Sequence, residues 1–161
     1  MKRIFVIIAG IAMVTFLSCS KKPDTGGTAT EGMANEWWAE LVLPDNSNYY
    51  GAGTFGHIYT YNSAANTNEI WIEDPNQLWN FKIKASADLS AKTFSANNVT
   101  SVVSGYGIKV TVTEGKIIPN GGHSKTGNIT DSIYMKVKFE DDPTTFTIRG
   151  HARTRFSEDD Y

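Results

Sequence analysis

Ile133-Tyr134-Met135-Lys136-Val137-Lys138-Phe139-Glu140, Asp141-Asp142-Pro143-Thr144 and Thr145-Phe146-Thr147-Ile148-Arg149-Gly150-His151-Ala152-Arg153 follow one another, and this stretch decides the fold. Apolar and polar residues alternate on both sides of a turn-forming tetrad, which is the period of strands with one buried face. With Asp141–Thr144 as a four-residue loop, Glu140 pairs with Thr145. Phe139 then faces Phe146, Val137 faces Ile148, Met135 faces Gly150 and Ile133 faces Ala152. The other lane sets Lys138, Lys136, Tyr134 and Ser132 against Thr147, Arg149, His151 and Arg153. One dry lane and one wet lane are the mark of an antiparallel sheet with a solvated side.

The same pattern runs back through the chain. Candidate strands are Trp37–Leu43, Thr54–Tyr61, Asn68–Glu73, Leu78–Ala85, Val99–Val103, Ile108–Thr113, Asn128–Glu140 and Thr145–Arg155, with a short strand around Lys92–Phe94. Pro44-Asp45-Asn46-Ser47, Asp74-Pro75-Asn76 and Glu114-Gly115 supply turns between them. With Asp74–Gln77 as a loop, Ile72 faces Trp79, Ile70 faces Phe81 and Glu69 falls opposite Lys82. No apolar segment has a 3.6-residue period over helical length, which disfavours βαβ architectures. The expected fold is all-β: an antiparallel up-and-down barrel of about eight strands, because closure removes the exposed edges of a meander. A barrel of that size holds either its own side chains or one small ligand. Trp37, Trp38, Trp71, Trp79, Phe55, Tyr59, Tyr61 and Phe81 all lie in the first half and suit either outcome.

The start of the chain tells where it resides. Lys2 and Arg3 precede an apolar run from Ile4 to Leu17, and Ser18-Cys19 follows. This is the layout of a secretory signal peptide. Phe16-Leu17-Ser18-Cys19 resembles a bacterial lipobox, in which the thiol is acylated and becomes the first mature residue. That divides the chain into a signal peptide (1–18), a lipidated Cys19 with a flexible tether to 35, and a barrel domain (36–161). Several acyl chains hold a protein durably where one holds weakly. The expected address is the cell envelope, at the outer membrane, facing either the periplasm or the surface. Cys19 is the single cysteine among 161 residues, so the mature domain has no disulfide framework, thiol nucleophile or Cys-based zinc site. Without Lys2 and Arg3 the chain carries 13 basic against 17 acidic residues, a net charge of −4, which disfavours nucleic acid as a partner.

Strings along the domain resemble the Bacteroidetes lipoproteins described as "lipid-binding putative hydrolase", which are small lipocalin-like (calycin-like) barrels. They are Glu36-Trp37-Trp38, Tyr59-Thr60-Tyr61-Asn62, Ala64-Ala65-Asn66, Trp71-Ile72-Glu73-Asp74, Trp79-Asn80-Phe81-Lys82, Thr130-Asp131-Ser132-Ile133-Tyr134 and Gly150-His151-Ala152-Arg153-Thr154. The resemblance implies a fold and an address. It brings no catalytic motif and no cofactor.

The chemistry-bearing residues are sparse. His57, His123 and His151 sit on different segments without metal-ligand spacing, so no metal site is expected. Ser132 with Asp131, and His151 across the hairpin, is the nearest approach to a nucleophile, acid and base, and no Gly-x-Ser-x-Gly elbow accompanies it. Glu73 and Asp74 end a strand, where capping the turn is their simplest role. Gly121-Gly122-His123-Ser124-Lys125-Thr126-Gly127 lacks both the phosphate-loop spacing and a following helix, and reads as a mobile connection.

The leading expectation is a non-enzymatic envelope lipoprotein that takes a small apolar or amphipathic, lipid-like ligand into the barrel. Trp37, Tyr59, Trp71, Trp79, Phe81 and His57 are the candidate lining residues. The alternatives are an esterase-like hydrolase acting on lipid-type substrates, and an accessory lipoprotein whose barrel is filled.

Overall fold

The computed structural model describes residues 26–161. The signal peptide, Cys19 and the first part of the tether lie outside the described residues. Eight strands form a closed antiparallel barrel in sequence order. They are β1 (Asn35–Val42), β2 (Gly56–Asn62), β3 (Glu69–Glu73), β4 (Lys82–Asp88), β5 (Thr93–Thr100), β6 (Lys109–His123), β7 (Ile129–Phe139) and β8 (Thr145–Ala152). The ring closes between β1 and β8, where Trp37 pairs with Ala152 and Val42 with Thr147. No helix among the described residues is long and apolar enough to cross a membrane.

Alternation decides what faces the axis. Trp37, Ala39, Leu41, Ile58, Ile70, Ile72, Ile83, Val110, Val112, Met135, Val137, Phe139, Phe146 and Ile148 point inward, each at most 1 % exposed. A side chain with no exposure touches no water-sized void. The axis is therefore packed with protein, the close-packed condition of an ordinary core. The barrel is a filled one in this structure. One end is covered by a 3-10 turn, Glu31–Met33, whose Met33 is buried in the core. Thr60 joins this cover to the wall: its hydroxyl donates to the Met33 carbonyl (2.6 Å) and accepts from the Trp37 indole N–H (2.8 Å). The packed domain thus begins ahead of Glu36.

Both hairpin registers differ from those expected, while each residue keeps its face. In β7–β8, Val137 pairs with Phe146, Met135 with Ile148 and Ile133 with Gly150, an offset of two. Glu140 is drawn away by β6: its N–H donates to the Lys109 carbonyl, and its carboxylate accepts the Lys109 N–H, both at 2.9 Å. In β3–β4, Ile72 pairs with Ile83 and Glu73 with Lys82, an offset of four. Leu78–Phe81 belongs to the loop rather than to β4, because Asp74 organises that loop. Its carboxylate accepts the backbone N–H of Gln77 (2.7 Å), Leu78 (2.8 Å), Trp79 and Asn80 (3.2 Å).

Two other differences concern β5 and β6. The fragments Lys92–Phe94 and Val99–Val103 merge into one irregular strand, β5. Glu114-Gly115 is no hairpin turn but a bulge inside β6, with Glu114 at a φ of 53°. Bulges of this kind bend a strand and let a long one wrap a barrel. Gly121–His123 is the end of β6, not a mobile connection. The following loop is pinned, since Thr126 donates to Asp159 Oδ1 through both its N–H (2.8 Å) and its hydroxyl (2.7 Å).

Candidate functional site

The candidate lining residues separate into three places. Trp37 and Phe81 face the packed axis, at 1 % and 0 % exposure. Trp79 stacks on Phe139 at the other end of the barrel, with ring centroids 4.6 Å apart and planes 4° apart. His57, Tyr59 and Trp71 lie half-buried on the outer wall. They do not line the interior, which corrects the expectation. The parity was available in the sequence: Ile70 and Ile72 alternate with Trp71, and Ile58 and Thr60 with His57 and Tyr59.

On that outer wall the aromatics are embedded among charges. His57 packs on Trp38 (centroids 3.8 Å) and stacks on Tyr59 (5.9 Å). His57 Nδ1 stands 3.1 Å from Glu36 Oε1 but is not aligned for a hydrogen bond. Burial holds its pKa below the ordinary value; Glu36 opposes the shift and Arg153 adds to it. Arg153 donates to both Asp160 oxygens at 2.8 Å and to Glu36 at 3.1 Å. Trp71 lies beneath the ammonium groups of Lys82 and Lys84, each 5.5 Å from its ring. Tyr61 donates to Glu73, which also pairs with Lys82 at 3.1 Å. The charged groups of this strip are paired with one another, while the buried Trp38 indole nitrogen and His57 Nδ1 have no hydrogen-bond partner.

A largely apolar groove of about 310 Å³ runs on the outer wall across β6, β7 and β8. Phe55, Ile118 and Tyr134 provide its apolar surface, and Glu40, Arg149 and His123 its polar edge. Glycines make it possible. A Cβ at Gly122 would stand 2.9 Å from the His151 Cβ, and one at Gly121 would stand 2.6 Å from Ile118 Cγ2. The end of β6 therefore leans over β7 towards β8, and only bare backbone fits there. Sequence reasoning missed Ile118 and these glycines because the Gly-Gly pair resembles a loop. The sequence signal is the pair Ile117-Ile118, which puts apolar side chains on both faces of the strand; the structure buries Ile117 and leaves Ile118 40 % exposed.

Ser132 and His151 line this groove and pair directly across β7 and β8. They do not form a catalytic relay. His151 Nδ1 is 3.2 Å from the Ala152 carbonyl and Nε2 is 3.2 Å from the Tyr161 hydroxyl. Asp131 accepts from the Asn120 N–H at 2.8 Å and has no hydrogen bond to His151. Among the described residues, no three His, Cys, Asp or Glu side chains gather as a metal-binding group.

The barrel's other end carries a cleft of about 250 Å³ lined by Tyr50, Asn76, Gln77, Leu78, Trp79 and Tyr106. Trp79 Nε1 donates to Asp141 Oδ1 at 3.3 Å, and the Tyr106 hydroxyl donates to Oδ2. That bond, with burial, pushes the Tyr106 pKa up to about 12.

A closed eight-stranded antiparallel barrel with a packed axis and its openings on the wall and rim is the class this geometry defines. The chain belongs to the family described as "Lipid-binding putative hydrolase", whose sequence pattern matches residues 22–157. No curated protein matches it.

Proposed function

We propose that this chain is an envelope lipoprotein, anchored through acylated Cys19, that binds a small apolar or amphipathic, lipid-like molecule on the outer wall of its barrel. The family's description supports a lipid-like ligand. The observation that carries the location is the groove over β6–β8. Its lining is largely apolar, while the axis is filled. An acyl chain laid along Phe55, Ile118 and Tyr134 would gain about 25 cal/mol per Å² of apolar surface removed from water. Arg149 and His123 stand at the edge for a polar headgroup.

Native mass spectrometry of protein purified from its own cells tests this. The expected result is a co-purifying lipid-like molecule that is lost in Ile118→Lys, a substitution at an exposed position that leaves the core intact. A molecule retained equally by Ile118→Lys, or no bound molecule with any fatty acid or phospholipid supplied, would move the site or remove it.

A hydrolase is the second reading, favoured by one observation: Ser132 and His151 lie opposite one another inside the same groove. It requires Tyr161 to release His151 Nε2. Turnover of a chromogenic ester that disappears in both Ser132→Ala and His151→Ala is the result expected of it. Turnover unaffected by either rejects it.

A further inference from the structure

We propose that the barrel stands end-on against a lipid bilayer, through the end at which the chain from Cys19 enters the fold. The proposal rests on the anchor at acylated Cys19 and adds the protein surface that meets the membrane. The Ala29 N–H donates to Asn66 Oδ1 at 2.7 Å, and a Cβ on Gly32 would stand 3.8 Å from Lys92 Cε. Residues 29–33 are thus seated between the β2–β3 and β4–β5 loops. The tip of the β6–β7 hairpin and the chain after β8 lie at the same end, since β8 ends beside the start of β1 and Ser132 of β7 pairs with His151.

Large apolar side chains project from this end. Ile129 is 67 % exposed and Phe156 59 %, and Leu89 is exposed as well. Ile129 starts β7 directly after the hairpin tip. Phe156 opens the turn whose Asp159 holds Thr126 of that tip. The fold therefore fixes both side chains on adjoining segments, outside the core.

Charge separates the two ends. The loops of the far end (43–55, 74–81, 101–108 and 140–144) hold Asp45, Asp74, Glu140, Asp141 and Asp142 and no lysine or arginine. At the near end Lys92, Lys125 and Arg155 stand among Glu31, Asp88 and Glu158, close to balance. Asp159 is buried there, and Asp160 is paired with Arg153. Tyr49, Tyr50 and Val102 are exposed at the far end, but an anionic lipid surface repels the carboxylates around them.

Reach favours the same end. Ala29 is the tenth residue after Cys19, and ten residues extend at most about 35 Å. One strand of the length of β1 already covers about 26 Å. Presenting the far end would draw the chain along the whole wall, whereas the near end is held at high local concentration over the lipid. Apolar side chains that enter the interface then add to the acyl anchor. The end of β6, Gly121–His123, belongs to this end too, so docking brings that rim of the groove beside the lipid.

The test uses the mature acylated protein in vesicles of phosphatidylethanolamine and phosphatidylglycerol. With Cys19 acylated, Asn128→Cys, Ser157→Cys or Ser104→Cys supplies a single free thiol for a fluorescent label. All three positions are exposed, the first two next to Ile129 and Phe156 and the third at the far end. Spin-labelled lipid is expected to quench the labels at 128 and 157 and to leave the label at 104 to aqueous iodide. Adding Ile129→Asp with Phe156→Asp is expected to abolish the lipid quenching, with melting curves confirming the fold. Intact mass and vesicle flotation read the anchor separately. Acylated, floating protein whose three labels are quenched alike, or lipid quenching that survives the double substitution, overturns the docking alone. A chain that carries no acyl group and does not float overturns the anchor, and the docking with it.

Discussion

Gly115 of β6 lies opposite Phe94 of β5, so close that a Cβ on Gly115 would stand 2.5 Å from the Phe94 ring. The Phe94 carbonyl oxygen is equally obstructed. Neither can retreat, because Phe94 is 3 % exposed and belongs to the core. Gly115→Ala is therefore expected to lower unfolding stability by about 1–3 kcal/mol, as overpacking does. Urea melts check it. The effect should shrink when Phe94→Leu is added, because the two substitutions share one space. Additive losses would mean that Gly115 is needed for its backbone rather than for room.

That contact also explains what the sequence concealed. Strict alternation in β7 and β8 made the class of fold and the inward face legible, since Val137, Phe139, Phe146 and Ile148 recur with period two. Register was not legible, because it is set by groups outside the alternating pattern. Asp74 lengthens one loop by capturing four amides, and Glu140 leaves its hairpin to bond with Lys109. Glu114-Gly115 resembles a turn because a bulge uses the same residue types as a turn. The groove was hidden for a related reason: Gly121 and Gly122 are there for close approach of backbone, which looks in sequence like flexibility. Trp71 and Tyr59 resemble pocket residues in the sequence because of their bulk. Their position opposite Ile70, Ile72 and Ile58 in the alternation places them outside.

Asp74 governs the loop that carries Trp79. A buried carboxylate accepting several amides is worth more than neutral pairs, and its loss leaves those amides without a partner. Asp74→Ala is expected to cost about 2–4 kcal/mol in stability. Local damage should accompany it: Trp79 would lose its stacked position on Phe139, so near-UV circular dichroism should weaken and amide exchange in 74–81 should accelerate. An intact near-UV spectrum with unchanged stability would show that the loop is held by Leu78 packing against Gly56 instead.

The last residues of the chain are fastened by Asp159, and acid should unfasten them. Its carboxylate accepts from the Thr126 N–H and hydroxyl and from the Thr154 hydroxyl at 2.7 Å, and the Thr126 hydroxyl is the leading reason its pKa lies well below the usual carboxylate range. A carboxylate depressed in the folded state is less protonated there than in the unfolded chain. Its stabilising effect is therefore complete above the unfolded pKa of about 4 and is lost as the pH falls towards the folded value. Melting temperature should decline below about pH 4, and Asp159→Asn should be less stable at neutral pH with a shallower acid decline. Because Asp159 joins the 124–128 loop to the tail that brings Tyr161 onto His151, the same acid step should free the His151 ring. An NMR titration in which Thr126 and the His151 ring move together well below about pH 4, towards the depressed folded-state pKa of Asp159, is the expected result. A Thr126 amide that does not respond there would place the acid sensitivity elsewhere, with the Asp160–Arg153 pair as the next group to examine.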